Sequence, residues 1–137
     1  MSNGYVLIDT SAWIEFSNRK PGESKTGDEV GRLIEEDKAA STEIVFIEVA
    51  AGSKTEEDLD RERSKFALLK IFETNEKVWL AAAENVFALR REGFTPNLVD
   101  LLITTVAMVY GVPLFHRDGH FKEMAKRVGL IEYSISG

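Results

Sequence analysis

Four acids in this chain stand where a carboxylate is either costly or conspicuous. Asp9 ends the apolar run at residues 5–8, and Asp118 follows a second short apolar run at 113–115, in His116-Arg117-Asp118-Gly119. Glu48 interrupts a mostly apolar segment, residues 43–51, in which helical spacing places Ile44, Ile47, Glu48 and Ala51 on one face. Asp100 is the only charge between Glu92 and Arg117, inside a segment that is apolar nearly all round. Each has an ordinary explanation taken singly. Asp9 is a good helix N-cap, and Glu48 can reach solvent or a basic partner from the edge of its stripe. Asp100 gains from a helix N-terminus, and Asp-Gly is a common turn pair. Taken together they read differently: two acids at strand ends, one interrupting a core-facing helix and one opening a buried helix can converge on one edge of a parallel sheet. Bare carboxylates ~4–5 Å apart repel by ~3–4 kcal/mol per pair at an effective dielectric near 20. A divalent cation resolves that repulsion by accepting oxygen ligands. An all-oxygen Mg²⁺ or Mn²⁺ site suits phosphoryl chemistry, in which the metal activates water and stabilises charge on the leaving oxygen.

The elements that must position these acids can be read from periodicity and breakers. Residues 5–8 predict a strand, and Thr10 or Ser11 caps a helix carrying Trp13, Ile14 and Phe16. A surface loop is expected over 18–27 and a helix over 28–37, then a short strand over 39–42 and a helix over 43–51 closed by Gly52. After Thr55 an acidic first turn opens a helix whose stripe of Leu59, Phe66, Leu69 and Ile71 runs to Phe72. A long helix follows Thr74-Asn75 and ends at residues 90–93, and Pro96 opens another that Gly111 stops at Tyr110. Residues 112–115 are strand-like, 119–128 helical and 130–133 a last strand. Short strands alternating with helices predict an α/β fold, a central twisted parallel sheet flanked by helices.

Composition narrows the chemistry. The 137 residues carry 23 acids against 17 Lys and Arg, two His and no Cys. That length predicts a single domain, residues 1–137, with a substantial core. Without Cys there is no disulfide, thiol nucleophile, Cys-bound zinc or iron–sulfur ligation. The apolar stretch 101–109 falls far short of the ~20 residues of a membrane span. Residues 1–4 lack a positive n-region, so a cytoplasmic protein without a signal peptide is expected. A net charge of −6 argues against indiscriminate coating of nucleic acid, while leaving room for a local basic strip.

The acids and their neighbours resemble the motifs of the PIN-domain family, specifically the VapC toxin ribonucleases of type II toxin-antitoxin modules. Val6-Leu-Ile-Asp9-Thr-Ser-Ala-Trp13 resembles the opening motif, and Glu48-Val-Ala-Ala-Gly52 the second. The third is matched by Pro96-Asn-Leu-Val-Asp100-Leu-Leu-Ile103 with Ala107, and the fourth by Pro113-Leu-Phe-His-Arg-Asp118-Gly-His-Phe121. Leu89-Arg-Arg-Glu-Gly93 and Gly129-Leu130 also fit, so the match spans essentially the whole chain. The resemblance implies a PIN fold, usually a homodimer, and Mg²⁺- or Mn²⁺-dependent endonucleolytic cleavage of RNA restrained by a VapB-like antitoxin. It makes Asp9 and Asp100 the main metal ligands, with Glu48 and Asp118 completing the acidic cluster. Thr10 or Ser11 would orient a carboxylate. Two departures stand out: His116 replaces the Thr or Ser of many PIN domains, and Thr104-Thr105 replaces a usual Ala-Ala pair. Thr104 is one turn after Asp100 and is either a hydroxyl toward the site or a back-bond to its own helix.

His116 and His120 are expected at the surface or facing substrate. Arg90, Arg91, Arg117 and Lys122 are the candidates for RNA phosphate contacts. Arg61, Arg63, Lys65 and Lys70 read as a solvated, ion-paired face. Trp13, Phe16, Phe46 and Trp79 are assigned to the core or to a partner surface. Two other functions compete. A Mg²⁺-binding receiver would need paired acids after the first strand and a Lys after the last, and has neither. A non-catalytic PIN-like interaction module would not require all four acids.

Overall fold

In the computed structural model, residues 4–18 and 20–135 are described, without the side chain of His120. The order of elements is β1 (Val6–Ile8), α1 (Thr10–Asn18), α2 (Lys25–Glu35), β2 (Ala39–Ser41), α3 (Glu43–Gly52), α4 (Glu56–Phe66), β3 (Lys70–Ile71), α5 (Glu76–Arg91), α6 (Leu98–Tyr110), β4 (Leu114–Phe115) and α7 (Gly119–Val128). The sheet runs β3-β2-β1-β4 with every pair parallel. All residues of β1, β2 and β4 are buried, as expected when crossover helices cover both faces of a parallel sheet. The expected α/β architecture is therefore present.

The chain adds β2 and β3 on one side of β1 and returns to add β4 on the other. The strand order thus reverses between β1 and β4, and a crevice opens beyond their carboxyl ends. Leu7 pairs with Leu114 and Ile8 with Phe115, so Asp9 and His116 leave the sheet side by side. Leu7 and Ile8 are fully buried, each worth about 1.5–3 kcal/mol in apolar burial. Trp13 is also fully buried, with ring centroids 5.3 Å from Phe16 and 4.6 Å from Phe66, and Phe46 packs 5.0 Å from Phe66. This aromatic cluster, with Trp13 Nε1 donating to Glu62 at 3.1 Å, ties α1 to α3 and α4.

Three expectations about elements need correcting. The loop ends earlier than expected, because Ser24 accepts from the Gly27 N–H at 3.0 Å and caps α2 at Lys25. Gly27 is inside that helix because a Cβ would lie 2.9 Å from the Glu15 carbonyl of α1, a close approach and not a helix break. The helix after Thr55 ends at Phe66, and Lys70–Ile71 is a parallel strand beside β2. The buried Leu69 and Phe72 continue the helical stripe in sequence while serving the sheet in space. The closing segment contributes one bridge, Glu132 to Leu114, in place of a full strand.

Candidate active site

Asp9 follows β1 directly and caps α1. Its Oδ1 accepts from the Ala12 N–H at 2.9 Å, and Ser11 Oγ donates to both carboxylate oxygens at 2.8 and 3.0 Å. The residue is 2% exposed, and this burial pushes its carboxyl up to about 6, against the opposing pull of the Ala12 N–H, the Ser11 hydroxyl and the nearby His116. Thr10, one residue on, donates from its hydroxyl to Glu48 Oε1 on α3. Asp9 and Glu48 thus form one half of the site, joined by consecutive hydroxyl residues.

The orientation of α3 differs from the expected face. Val45 and Val49 point into the core, while Ile47 is 64% exposed and Ala51 is exposed as well. The segment Glu43–Gly52 is apolar on nearly every side, so periodicity alone could not choose its buried face. Glu48 stands half-buried at the border, where it meets Thr10.

Asp100 lies in the first turn of α6, its backbone N–H accepted by the N-cap Asn97 at 3.1 Å. It lines a cavity of about 510 Å³ together with Phe94, Asn97, Glu123 and Gly119, the residue after Asp118. Asp100 and the loop ahead of Gly119 make the other half of the candidate site, although Asp118 is not among the residues lining the cavity. The remainder of α6 is buried as expected, including Thr104 and Thr105. Thr105 makes the back-bond, to the Leu101 carbonyl at 2.7 Å, whereas the Thr104 hydroxyl is buried with no partner among the described residues.

A hydrogen bond links the Asp9 side to the loop before Asp118. The Arg117 backbone N–H donates to Ser11 Oγ at 2.8 Å, so a single hydroxyl contacts the Asp9 carboxylate and the loop that carries Asp118. The Arg117 guanidinium turns toward α2, donating to Thr26 Oγ1 at 3.1 Å. His116, expected at the surface or facing substrate, is not at the surface: its side chain is 7% exposed and lies 4.9 Å from the Phe121 ring, while the His120 side chain lies outside the described residues.

The candidate ligands here are carboxylate and hydroxyl oxygens, and burial raises the Asp9 carboxyl to about 6. A hard cation fits such a set, because its charge favours the ionised form. Among the described residues no three His, Asp or Glu side chains stand close enough together to hold a metal ion.

The basic candidates divide. Arg90 and Arg91 are exposed at the end of α5, where Arg91 lies over the Phe87 ring, and Lys122 is exposed on α7. Arg61 and Lys65 pair with Asp58 and Glu62 as expected, yet they also line a groove of about 440 Å³ whose wall includes Glu48. Lys54, missed in the sequence, lines the same groove just after α3; only its position two residues past Gly52 could have drawn attention to it.

Residues 6–127 match the family model for the PIN domain. The chain belongs to the PIN-domain family. This PIN domain is 33% identical over 132 residues to Ribonuclease VapC11 of Mycobacterium tuberculosis, covering 91% of this chain and 95% of the relative. A VapC ribonuclease of Mycobacterium bovis is similar to the same extent. Among solved structures, VapBC2 from Rickettsia felis, bound to a DNA fragment from its promoter, has a TM-score of 0.78 at 21% identity, covering 96% of this chain and 99% of that one. VapC20 of M. tuberculosis, a toxin that cleaves the sarcin-ricin loop, has a TM-score of 0.67 at 15% identity, covering 95% and 99%. Identities this low carry the fold alone. The PIN membership leaves the receiver alternative without support.

Proposed function

We propose that this PIN domain is a Mg²⁺- or Mn²⁺-dependent endoribonuclease and the toxin of a VapBC-type toxin-antitoxin pair, forming a single domain over residues 1–137. The observation that carries the reading is Asp9: a carboxylate buried at the β1/β4 crevice, held by three hydrogen bonds and raised to about 6 by desolvation. Asp9 also caps α1, but capping a helix does not require so deep a burial of the carboxylate. Named ribonucleases among the relatives agree with it.

In this reading Asp9 and Asp100 are the principal ligands, and Glu48 and Asp118 complete the acidic set. A bound Mg²⁺ or Mn²⁺ would supply water activation and neutralise charge on the phosphate. Ser11 fixes the plane of the Asp9 carboxylate, and Thr10 does the same for Glu48. The buried Thr104 hydroxyl, one turn beyond Asp100, is a further candidate for orienting a carboxylate. Arg117 and Lys122 stand on or beside the loop bearing Asp118, and with Arg90 and Arg91 they are the candidates for holding the RNA backbone. A VapB-like antitoxin is the expected protein partner. A second copy of the chain would cover the exposed stripe of Trp79, Ala83 and Phe87 on α5. No helix among the described residues is long and apolar enough to cross a membrane.

The test is Asp100→Asn. Cleavage of RNA and growth arrest should fall at least about 100-fold with melting temperature retained, and EDTA should abolish cleavage by the unaltered protein. Undiminished cleavage in either case refutes the proposal.

A further inference from the structure

His116 uses both ring nitrogens. Nδ1 accepts the Asp118 backbone N–H at 3.2 Å, and Nε2 lies 2.9 Å from Glu132 Oε1. A backbone N–H only donates, so Nδ1 must carry the lone pair; the proton then sits on Nε2 and is donated to Glu132. Glu132 belongs to the segment after α7, laid against β4 by two backbone bonds: Leu114 N–H to the Ile131 carbonyl at 2.9 Å, and Tyr133 N–H to the Leu114 carbonyl at 2.8 Å. Tyr133 anchors that segment, its ring 5.1 Å from Phe115 and its hydroxyl donating to Glu29 on α2.

We infer that Glu132 and His116 act as a pair of positioning residues for Asp118. Glu132 fixes the tautomer and ring plane of His116, and His116 holds the Asp118 N–H, which sets where that carboxylate stands beyond β4. The inference rests on the reading of Asp118 as part of the acidic site. It also gives a physical meaning to a departure from the family pattern. A Thr or Ser hydroxyl rotates freely to suit a neighbouring N–H. An imidazole accepts at Nδ1 only in one tautomer and one ring orientation, so it needs an external acceptor to choose them. In this chain the acceptor comes from the closing segment, which thereby becomes part of the scaffold of the site.

Long-range ¹H–¹⁵N spectra of the metal-free protein should show His116 as the Nε2–H tautomer. Glu132→Ala should mix the tautomers and raise the Mg²⁺ concentration for half-maximal cleavage about 10-fold, with kcat at saturating Mg²⁺ much less affected. Glu132→Gln keeps an oxygen acceptor and should restore both readouts. His116→Phe should reproduce the loss, whereas His116→Asn should recover part of it, since Asn accepts from the N–H two residues on. In the His116→Asn background Glu132→Ala should add nothing. An Nδ1–H tautomer in the unaltered protein, or a Glu132→Ala variant with unchanged tautomer and Mg²⁺ dependence, overturns the inference. Cleavage indifferent to Asp118→Asn would instead overturn the assignment of Asp118, while the tautomer measurements still decide the tether.

Discussion

The two halves of the site are built by different means. Around Asp9 and Glu48 the carboxylates themselves are hydrogen-bonded, by Ser11, Ala12 and Thr10, and Asp9 is almost fully buried. Around Asp100 and Asp118 the backbone is held: Asn97 takes the Asp100 N–H at the edge of a cavity, and His116 takes the Asp118 N–H. Asp9 has its oxygens oriented in advance at the electrostatic cost of burial, whereas Asp100 and Asp118 are partly exposed. The cost of burying a charge is thereby concentrated at Asp9.

The largest expected effect comes from removing the costly charge. Asp9→Asn should lower RNA cleavage by about 10³-fold, roughly 4 kcal/mol of transition-state stabilisation. The same change should stabilise the metal-free protein. A folded-state value of about 6 against 3.8 means the folded protein binds the proton more tightly, so this group's contribution is fully present below pH 3.8 and lost as pH rises through 6. The loss amounts to at most about 3 kcal/mol. Thermal melts without metal should therefore show Asp9→Asn above the unaltered protein at pH 8, with the gap closing toward pH 4. A gap that does not depend on pH would mean the halves do not differ in the way described.

Ser11→Ala tests the link between them. It removes the hydroxyl from both Asp9 oxygens and leaves the Arg117 N–H without its acceptor. A destabilisation of about 1–3 kcal/mol in urea melts is expected, with weaker Mg²⁺ dependence of cleavage. Thr10→Val should be milder, raising the Mg²⁺ requirement about 10-fold through Glu48. Smallest is Thr104→Val, which deletes a buried hydroxyl that has no partner and should raise stability by about 1 kcal/mol in the metal-free protein. A simultaneous fall in cleavage would place Thr104 in the working site.

Asp9 and Asp118 were legible because each ends an apolar run, and a strand end in a parallel sheet is where ligands gather. Asp100 was legible because a lone charge in a buried helix is expensive. The face of α3 was not, since Ile44, Val45, Phe46, Ile47 and Val49 leave no polar side to identify. Strand β3 was hidden because Leu69 and Phe72 happen to fall on the register of the preceding helix. The partners of His116 could not be read at all, because residue 132 meets residue 116 only after the closing segment docks on β4.

The strand order has a consequence for biogenesis. Ser11 and the Arg117 N–H meet across 106 residues of chain, and β1 has no neighbour on its β4 side until Leu114 and Phe115 have been synthesised. A chain released from the ribosome between residues 48 and 114 carries Asp9 and Glu48 but neither the fourth acid nor the loop that Ser11 holds. Long-range closure of this kind is also the slow part of folding. The two halves of the crevice therefore come together late, and unfinished products of translation cannot assemble them.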